Sequence, residues 1–313
     1  MPEARDVQRF HPRRELGRTG FKTAILGIGD LADRKVPLPQ CVATVRRALD
    51  AGLNLIDTAP GYENGYSEQI VGQALKGRRD GVFAIDKIDH PDQPVAPQIE
   101  ESLGRLEMSH TDAFVFHGVS RMDVWDKLAA PGGGMEQLEQ CRRKGQTRFR
   151  GISSHDPDVL RAAIESGLCD VVLFPVGPHV DARYVEQTLP LARARGVGTV
   201  CFKTFGAGKL LGDTEGYSRP LAARPRGKLS SGGQTPAGAP QLPCLSADEC
   251  VRYTLTCDPD VALLGLSFPN EQDAAFPAAL GFSPMSEAEM ARTRRRAAEA
   301  VRHKGRCWWN PGG

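Results

Sequence analysis

The sequence lacks several features that would place it in a common class at once. Its 313 residues contain no run approaching the ~20 apolar residues that a membrane-spanning helix needs. Residues 1–10 mix charged side chains with few apolar ones, so they lack the apolar core of a secretory signal. The formal net charge is only +2, which gives no strong polyelectrolyte signal. We therefore expect a soluble, cytoplasmic protein with neither a membrane nor a nucleic-acid partner.

Closely paired cysteines are also absent. Eight cysteines are scattered along the chain without the Cys-x-x-Cys pairs that zinc and iron–sulfur sites use. The one loose cluster, Cys244, Cys250 and Cys257, has separations that match no familiar metal-ligand spacing. These residues are predicted to be reduced and mostly buried thiols, and no metal site is predicted.

The sequence does contain a regular alternation of strand-like and helix-like segments. Short apolar stretches predict strands, and the segments between them have helical periodicity. Eight strands are predicted, at residues 24–29, 53–57, 82–87, 112–117, 147–152, 170–174, 198–202 and 261–265. Such alternation favours parallel strands, and the number eight favours a closed barrel over an open sheet. The predicted fold class is α/β, a (β/α)8 TIM barrel with residues 1–313 as a single domain.

Other local signals predict the segments outside the barrel strands. The glycines and threonine of residues 15–23 predict a hairpin before the first barrel strand, and Ser67 is predicted to cap the helix that runs to Leu75. Residues 206–243, rich in Gly, Pro and Ser, are too long for a bare connector and are predicted as a flexible loop over the barrel mouth. A disordered insertion is an equal alternative for residues 230–239. Residues 284–313 are predicted as a C-terminal helix and tail.

Polar side chains end three successive predicted strands. Asp57 ends one of them, and a Pro-Gly turn then presents Tyr62; Lys87 and His117 end the next two. Free tyrosine has a pKa of about 10, so a tyrosine that exchanges a proton near neutrality needs a nearby cation, which Lys87 would provide. Active sites of such barrels lie at the carboxyl ends of the strands. The sequence therefore predicts one site containing Asp57, Tyr62, Lys87 and His117.

Together these motifs resemble the aldo-keto reductase superfamily over nearly the whole chain. The similarity rests on residues 16–20, 57–62, 65–68, Lys87, His117 and 151–153. It implies an oxidoreductase that uses NADP or NAD to interconvert a small-molecule carbonyl (an aldehyde, ketone or sugar) and an alcohol by hydride transfer. It also implies a catalytic tetrad in which Tyr62 is the general acid, Lys87 lowers the pKa of Tyr62, Asp57 pairs with Lys87, and His117 orients the carbonyl.

The resemblance further implies a cofactor site built from the loops after the later strands. Its predicted members are Ser153, Ser154, Phe174, Lys203, Phe205, Gly206, Gly208, Lys209, Gly265, Ser267 and Gln272. Phe174 is expected to offer a ring face to the nicotinamide, and Lys203 or Lys209 to contact a phosphate. An asparagine and a glutamine that hold the nicotinamide amide in the family are missing, and residues 265–272 contain no basic residue for the 2′-phosphate of NADP. NADP is slightly favoured by the family alone, and NAD remains open.

Two other functions remain open at this point. The chain could be a barrel that has lost nicotinamide chemistry and acts as a binding or regulatory subunit. It could also be a metal-dependent barrel enzyme, if His117, His155 and His179 converge after strands four, five and six. Candidate substrate contacts are Trp125, in a predicted loop at residues 119–134, and the tail residues Trp308 and Trp309.

Overall fold

A closed barrel of eight parallel strands forms the centre of the molecule. The computed structural model describes residues 9–29, 33–211, 243–302 and 304–311. Two short strands, β1 (Arg14–Glu15) and β2 (Lys22–Thr23), form an antiparallel hairpin. The barrel strands are β3 (Leu26–Gly29), β4 (Leu55–Asp57), β5 (Phe83–Ile88), β6 (Thr111–Phe116), β7 (Thr147–Ser153), β8 (Val171–Pro175), β9 (Gly198–Phe202) and β10 (Val261–Gly265). They are arranged in chain order, and β10 closes the ring by pairing with both β9 and β3. The predicted eight-stranded (β/α)8 barrel is confirmed.

Helices surround this barrel. They are α1 (Leu38–Asp50), α2 (Tyr66–Leu75), α3 (Val95–Leu106), α4 (Met122–Ala129), α5 (Gly134–Arg143), α6 (Pro157–Glu165), α7 (Leu189–Ala194), α8 (Ala247–Thr256), α9 (Pro269–Leu280) and α10 (Glu287–Val301). A π-helical turn (Tyr184–Thr188) leads into α7, and a 3-10 turn (Gly206–Leu211) follows β9. Within the described residues, none of the helices has the length and apolar character needed to cross a bilayer.

The structure corrects three local predictions. Residues 119–134 are not one loop, because α4 forms within them. Ser67 is not the N-cap of α2, which is Gly65; the Ser67 hydroxyl instead hydrogen-bonds to the Thr58 hydroxyl at 2.7 Å. Most of the predicted loop at 206–243 lies outside the described residues, and its first part forms the 3-10 turn rather than a loop. The predicted C-terminal helix is present as α10, and it begins with a capping box between Ser286 and Glu289.

Alternate residues of each strand fill the barrel interior. Successive side chains of a strand point to opposite faces, so every second residue faces the barrel axis. The interior cluster contains Leu16, Leu55, Phe83, Ile85, Ala113, Val115, Val171, Leu173, Val200, Val261 and Leu263. Two larger clusters fill the space between the strands and the helices. The face on which a strand residue lies therefore decides whether its side chain can take part in a site at the mouth.

The hairpin closes the opposite end of the barrel. Leu16, at the hairpin turn, is fully buried in the interior cluster. Gly17 follows it with φ +50°, and a Cβ atom there would lie 2.2 Å from the Gly198 nitrogen. Only glycine allows this close approach of two backbones. This arrangement leaves the mouth at the carboxyl ends of the strands as the end where function is expected.

Two helical glycines give a test of the helix packing. A Cβ atom on Gly72, in α2, would lie 2.2 Å from the carbonyl oxygen of Leu106, whereas one on Gly104, in α3, meets nothing within 4 Å. We expect Gly72→Ala to reduce the free energy of unfolding by about 1–3 kcal/mol through overpacking. Gly104→Ala is expected to raise it by about 0.4–1 kcal/mol, because alanine lowers the entropy of the unfolded chain. Urea unfolding of both variants measures the difference, and equal effects would show that α2 and α3 do not pack so closely.

Candidate active site

The strand alternation brings three of the predicted catalytic residues to the top of the barrel interior. Asp57, Lys87 and His117 each stand two residues after an interior side chain, namely Leu55, Ile85 and Val115. Each polar side chain therefore continues the interior-facing row of its own strand. The apolar layer below them excludes water from the floor of the mouth. Any charge placed there must be compensated by protein groups.

Lys87 is a buried cation with several partners. Its ammonium group is 2.6 Å from Asp57 Oδ2 and donates to the Thr58 carbonyl at 2.7 Å, while both charged side chains are only 3% exposed. Burial alone would lower the pKa of Lys87, but the Asp57 carboxylate and then the interactions with Tyr62 raise it above its ordinary value. Lys87 is therefore positively charged at every physiological pH.

Tyr62 lies between this cation and the histidine. The Lys87 ammonium is 4.6 Å from the centroid of the Tyr62 ring, and a hydrogen bond with Tyr62 contributes to the raised pKa of Lys87. The ring of His117 meets the Tyr62 ring edge-on, with centroids 5.7 Å apart. The four predicted catalytic residues thus form one cluster at the barrel mouth. The half-buried Tyr62 stands at its solvent side.

Asp89 is a member of this cluster that the sequence analysis missed. Its Oδ1 atom is 2.6 Å from His117 Nδ1, and its side chain is 20% exposed. Burial alone would raise the pKa of Asp89, but the hydrogen bond and charge of His117, with the Gly61 amide, lower it below its usual value. The sequence contained a signal for this position. Asp89 lies two residues beyond Lys87, so the alternation of β5, continued past its end, predicts that Asp89 faces the mouth as Lys87 does.

Asp86 places a second carboxyl group behind Lys87, on the opposite face of β5. Its side chain is fully buried, and its Oδ1 accepts the backbone N–H of Lys87 at 2.8 Å. The fully buried Glu68 lies nearby and is held by Arg105, which contacts both Glu68 carboxylate oxygens. Burial, followed by the negative charge of Glu68, raises the pKa of Asp86 well above its usual value. Asp86 therefore keeps its proton to higher pH than an ordinary aspartate does.

Several predicted cofactor residues do lie around the mouth. Ser153 ends β7, where its hydroxyl accepts the Gly118 amide at 2.8 Å; Ser154 is fully buried, and its hydroxyl accepts the Asp156 amide. Gly206 and Gly208 are buried in the 3-10 turn with φ of +53° and +87°. Gly265 and Ser267 are half-buried between β10 and α9. Phe205 directly precedes this turn, and its side chain belongs to one of the two clusters between the strands and the helices.

An aromatic cluster around Lys203 was not predicted in this form. The Lys203 ammonium is 4.3 Å from the Trp308 ring centroid and 5.2 Å from that of Phe202. His155 contacts both of these rings, with centroids 5.1 and 5.3 Å away. Phe202 stands two residues after the interior residue Val200, so its ring faces the mouth. Trp308, 48% exposed, brings the C-terminal tail to the same place.

Other predicted contacts point elsewhere. The fully buried Phe174 ring stacks on Tyr184 outside the barrel, because Phe174 lies on the outward face of β8. The Lys209 ammonium donates to the carbonyls of Gly305 and Arg306, so it fastens the tail. Gln272 is fully buried and donates to the carbonyls of Thr44 and Leu266. The roles predicted for Phe174, Lys209 and Gln272 at the cofactor are not supported by these positions.

The substrate contacts expected from tryptophan are also corrected. Trp125, on α4, is 3% exposed and packs in one of the two clusters between the strands and the helices. Its side chain therefore does not reach the mouth. Trp309 is fully buried, and its indole N–H donates to the carbonyl of His179. Trp308 alone of the three tryptophans lies at the mouth with an exposed ring.

The histidines expected in a metal-dependent enzyme do not form a ligand group. Among the residues that the structure describes, no three His, Cys, Asp or Glu side chains are placed to hold a metal ion. His117 pairs with Asp89 instead, and His155 stands among aromatic rings. Burial, with the charges of Lys203 and His117, lowers the pKa of His155 to about 3, so this imidazole is neutral.

The fold and this cluster define a (β/α)8-barrel protein with an aspartate, a tyrosine, a lysine and a histidine at its mouth. A model of the Aldo/keto reductase family matches residues 24–259, and the chain belongs to that family. The resemblance seen in the motifs is thereby confirmed. The relatives of this chain include proteins named as reductases and dehydrogenases, so the family is one of oxidoreductases.

Two curated relatives illustrate the similarity. L-galactose dehydrogenase of Arabidopsis thaliana is 28% identical over 214 residues, which cover 63% of this chain and 66% of that protein. The NADH-specific methylglyoxal reductase of Escherichia coli (strain K12) is 27% identical over 220 residues, with the same two coverages. The matched part thus spans just under two thirds of these curated relatives.

Solved structures share the fold over more of the chain. An aldo-keto reductase from Bacillus halodurans, in its holo form, is 23% identical with a TM-score of 0.65, covering 93% of this chain and 96% of that one. An aldo/keto reductase from Klebsiella pneumoniae in complex with NADP and acetate is 21% identical with a TM-score of 0.63, covering 88% and 91%.

The buried ion pair gives a stability prediction. Lys87→Met leaves Asp57 as a buried carboxylate without its ammonium partner, which typically costs about 3–5 kcal/mol. The double variant Asp57→Leu/Lys87→Met replaces the pair with apolar side chains and should recover most of that loss. Urea unfolding of the wild type and both variants measures the effect. A double variant less stable than Lys87→Met would contradict the view that the lost partner causes the destabilisation.

Asp86 gives a prediction for the pH dependence of stability. An unfolded aspartate has a pKa of about 3.9, whereas folded Asp86 holds its proton to higher pH. The folded state therefore binds more protons, and this group makes the protein less stable as pH rises above about 4. Asp86→Asn removes that contribution, so its stability relative to wild type should be greater at pH 9 than at pH 5. Asp126→Asn, on the exposed part of α4, is the matched control and should show no such trend.

Proposed function

We propose that this chain is a nicotinamide-dependent oxidoreductase that interconverts a small-molecule carbonyl and an alcohol, with Tyr62 as the general acid and base. One observation carries the proposal: a buried, permanently charged lysine stands against the only tyrosine of the cluster at the barrel mouth. A cation beside a phenol favours its ionised form, which is what a tyrosine needs in order to exchange a proton near neutral pH.

Each member of the cluster has a role that follows from its contacts. Lys87 stabilises the phenolate of Tyr62 while Asp57 holds the ammonium in place and balances its charge. Tyr62 donates a proton to the oxygen of a carbonyl substrate during reduction and recovers one from the alcohol during oxidation. His117 stands beside Tyr62 and contacts the same reacting end of the substrate. The apolar layer below the cluster keeps water from competing for these hydrogen bonds.

The mouth offers features that fit a nicotinamide cofactor. A bound nicotinamide would supply hydride to a carbonyl carbon or accept it from an alcohol. The ring of Phe202 provides an aromatic face in place of Phe174, and Thr204 offers a buried hydroxyl that has no hydrogen-bond partner among the described residues. Ser153 supplies a further hydroxyl at the end of β7. The positive end of α9, after Gly265 and Ser267, suits phosphate groups.

The choice between NADP and NAD is not decided by a basic residue in the loop before α9. Residues 265–272 contain no lysine or arginine, and Arg47, which reaches this helix from α1, contacts the Pro269 carbonyl and Asp273. The Klebsiella structure contains NADP, while the Escherichia coli relative is named as specific for NADH. Both cofactors are therefore to be tested.

A binding or regulatory barrel without nicotinamide chemistry is the second candidate. It is favoured by the positions of Phe174, Lys209 and Gln272, which contribute to packing and to fastening of the tail rather than to the mouth. This alternative predicts no binding of NADPH or NADH. Micromolar binding of either cofactor would exclude it.

Tyr62→Phe tests the leading proposal. We expect the variant to bind NADPH or NADH as the wild type does, because only a hydroxyl is lost. Carbonyl reduction should fall by about 10²-fold or more, because the proton donor is gone. Cofactor binding is followed by quenching of tryptophan fluorescence and by calorimetry, and turnover by cofactor absorbance with a panel of aldehydes, ketones and sugars.

The control is a tyrosine outside the cluster. Tyr253, buried on α8, interacts through its hydroxyl with Arg294, and Tyr253→Phe should keep wild-type turnover. Full activity in Tyr62→Phe would remove Tyr62 from the reaction, and absence of cofactor binding in the wild type would favour the second candidate.

A further inference from the structure

A lysine stands over the aromatic rings on one side of the barrel mouth. The Lys203 ammonium is 4.3 Å from the Trp308 ring centroid and 5.2 Å from that of Phe202. An ammonium group within about 6 Å of a ring centroid is attracted by the face of that ring. Phe202 faces the mouth, since it stands two residues after the interior residue Val200. The positive charge of Lys203 is therefore held at the aromatic surface of the mouth.

The backbone at Lys203 is unusual and brings its side chain to this surface. Residue 203 directly follows β9, and strand alternation would direct its side chain away from the face on which Phe202 lies. Its φ angle is instead +74°, in the left-handed region that residues other than glycine rarely adopt. A Cβ atom on Gly177 would lie 2.7 Å from the Lys203 carbonyl oxygen, so the two backbones are closely packed here. Strained residues that are held in this way cluster at functional sites.

The charge of Lys203 acts on its neighbours at the mouth. The His155 ring contacts both Phe202 and Trp308, with centroids 5.3 and 5.1 Å away. Burial, followed by the charge of Lys203 and then that of His117, lowers the pKa of His155 to about 3. A positively charged imidazole is thus disfavoured at this surface. Any other ring that carries a positive charge meets the same ammonium, whereas a neutral ring does not.

The two redox states of a nicotinamide differ in this respect, because the oxidised ring is a cation and the reduced ring is neutral. We infer that Lys203 is a specificity-determining residue that makes the mouth bind the reduced nicotinamide in preference to the oxidised one. The inference rests on the proposed function, in which Phe202 provides the aromatic face for the ring. Carbonyl reduction then begins from an enzyme that is loaded with the reduced cofactor, and the oxidised product leaves readily.

The ratio of two dissociation constants measures this preference. The oxidised and reduced forms of one cofactor carry the same phosphates, so the ratio reports the charge of the nicotinamide ring. Calorimetry with NADPH and NADP+, and with NADH and NAD+, gives the ratio without any turnover. In the wild type we expect the oxidised form to bind roughly tenfold more weakly, which is the effect of one unit charge at short range in a partly exposed site.

Variants of Lys203 test whether this residue is the source of the preference. Lys203→Met and Lys203→Gln both remove the charge, and each should bring the ratio toward one. Lys203→Arg keeps the charge and should keep the ratio. Lys127→Met, the same change at an exposed lysine of α4, is the matched control and should leave the ratio as in the wild type.

The possible failures are distinguishable from one another. A ratio near one in the wild type, or an unchanged ratio in Lys203→Met and Lys203→Gln, would overturn the inference and leave the proposed oxidoreductase function intact. Equal weakening of both redox forms in these variants would also overturn it, because Lys203 would then contact a phosphate, the role that the family resemblance implied. If the wild type binds none of the four cofactors, the proposed function fails and the inference fails with it.

Discussion

The buried ammonium of Lys87 is the constraint on which the rest of the site depends. A cation with 3% exposure is tolerated only if protein groups replace its lost water. Asp57 and the Thr58 carbonyl meet this requirement from β4 and its exit, and the Tyr62 ring covers the same ammonium. Stabilising the lysine therefore also fixes the loop that presents Tyr62. The ammonium, its carboxylate partner and the tyrosine ring are held by contacts among protein groups, as electrostatic preorganisation requires.

The barrel and the clustering of Asp57, Tyr62, Lys87 and His117 could be predicted because both depend on short-range patterns. Strands of alternating residues end in Asp57, Lys87 and His117, and parallel strands bring their ends to one mouth. A predicted cofactor contact such as Phe174 was misplaced because it was chosen by residue type, without regard to the face of the strand on which the residue lies. Phe174 and Phe202 are both phenylalanines near strand ends, yet the same period of two places the first outside the barrel and the second at the mouth. The alternation along β8 and β9 therefore indicates Phe202, and not Phe174, as the phenylalanine whose ring faces the mouth.

Contacts between distant parts of the chain could not be predicted. Lys209 and Lys304 each donate to backbone carbonyls about a hundred residues away, and Trp309 is buried against His179. No local pattern distinguishes such lysines from solvated or phosphate-binding ones. These contacts decide that Trp308, rather than Trp309, reaches the mouth beside Lys203. The aromatic side of the mouth, at Lys203 and Trp308, is thus set by tertiary packing, whereas the row of Asp57, Lys87 and His117 is set by strand alternation.

Two carboxylates hold the two basic side chains of the cluster. Asp57 pairs with Lys87, which keeps all its protons and faces Tyr62 as a fixed positive charge. Asp89 Oδ1 contacts His117 Nδ1 at 2.6 Å and so fixes the orientation of the imidazole ring. Tyr62 therefore has a cation on one side and a fixed imidazole ring on the other. Both carboxylates lie at or just beyond a strand end, so the alternation of β4 and β5 fixes the surroundings of the tyrosine.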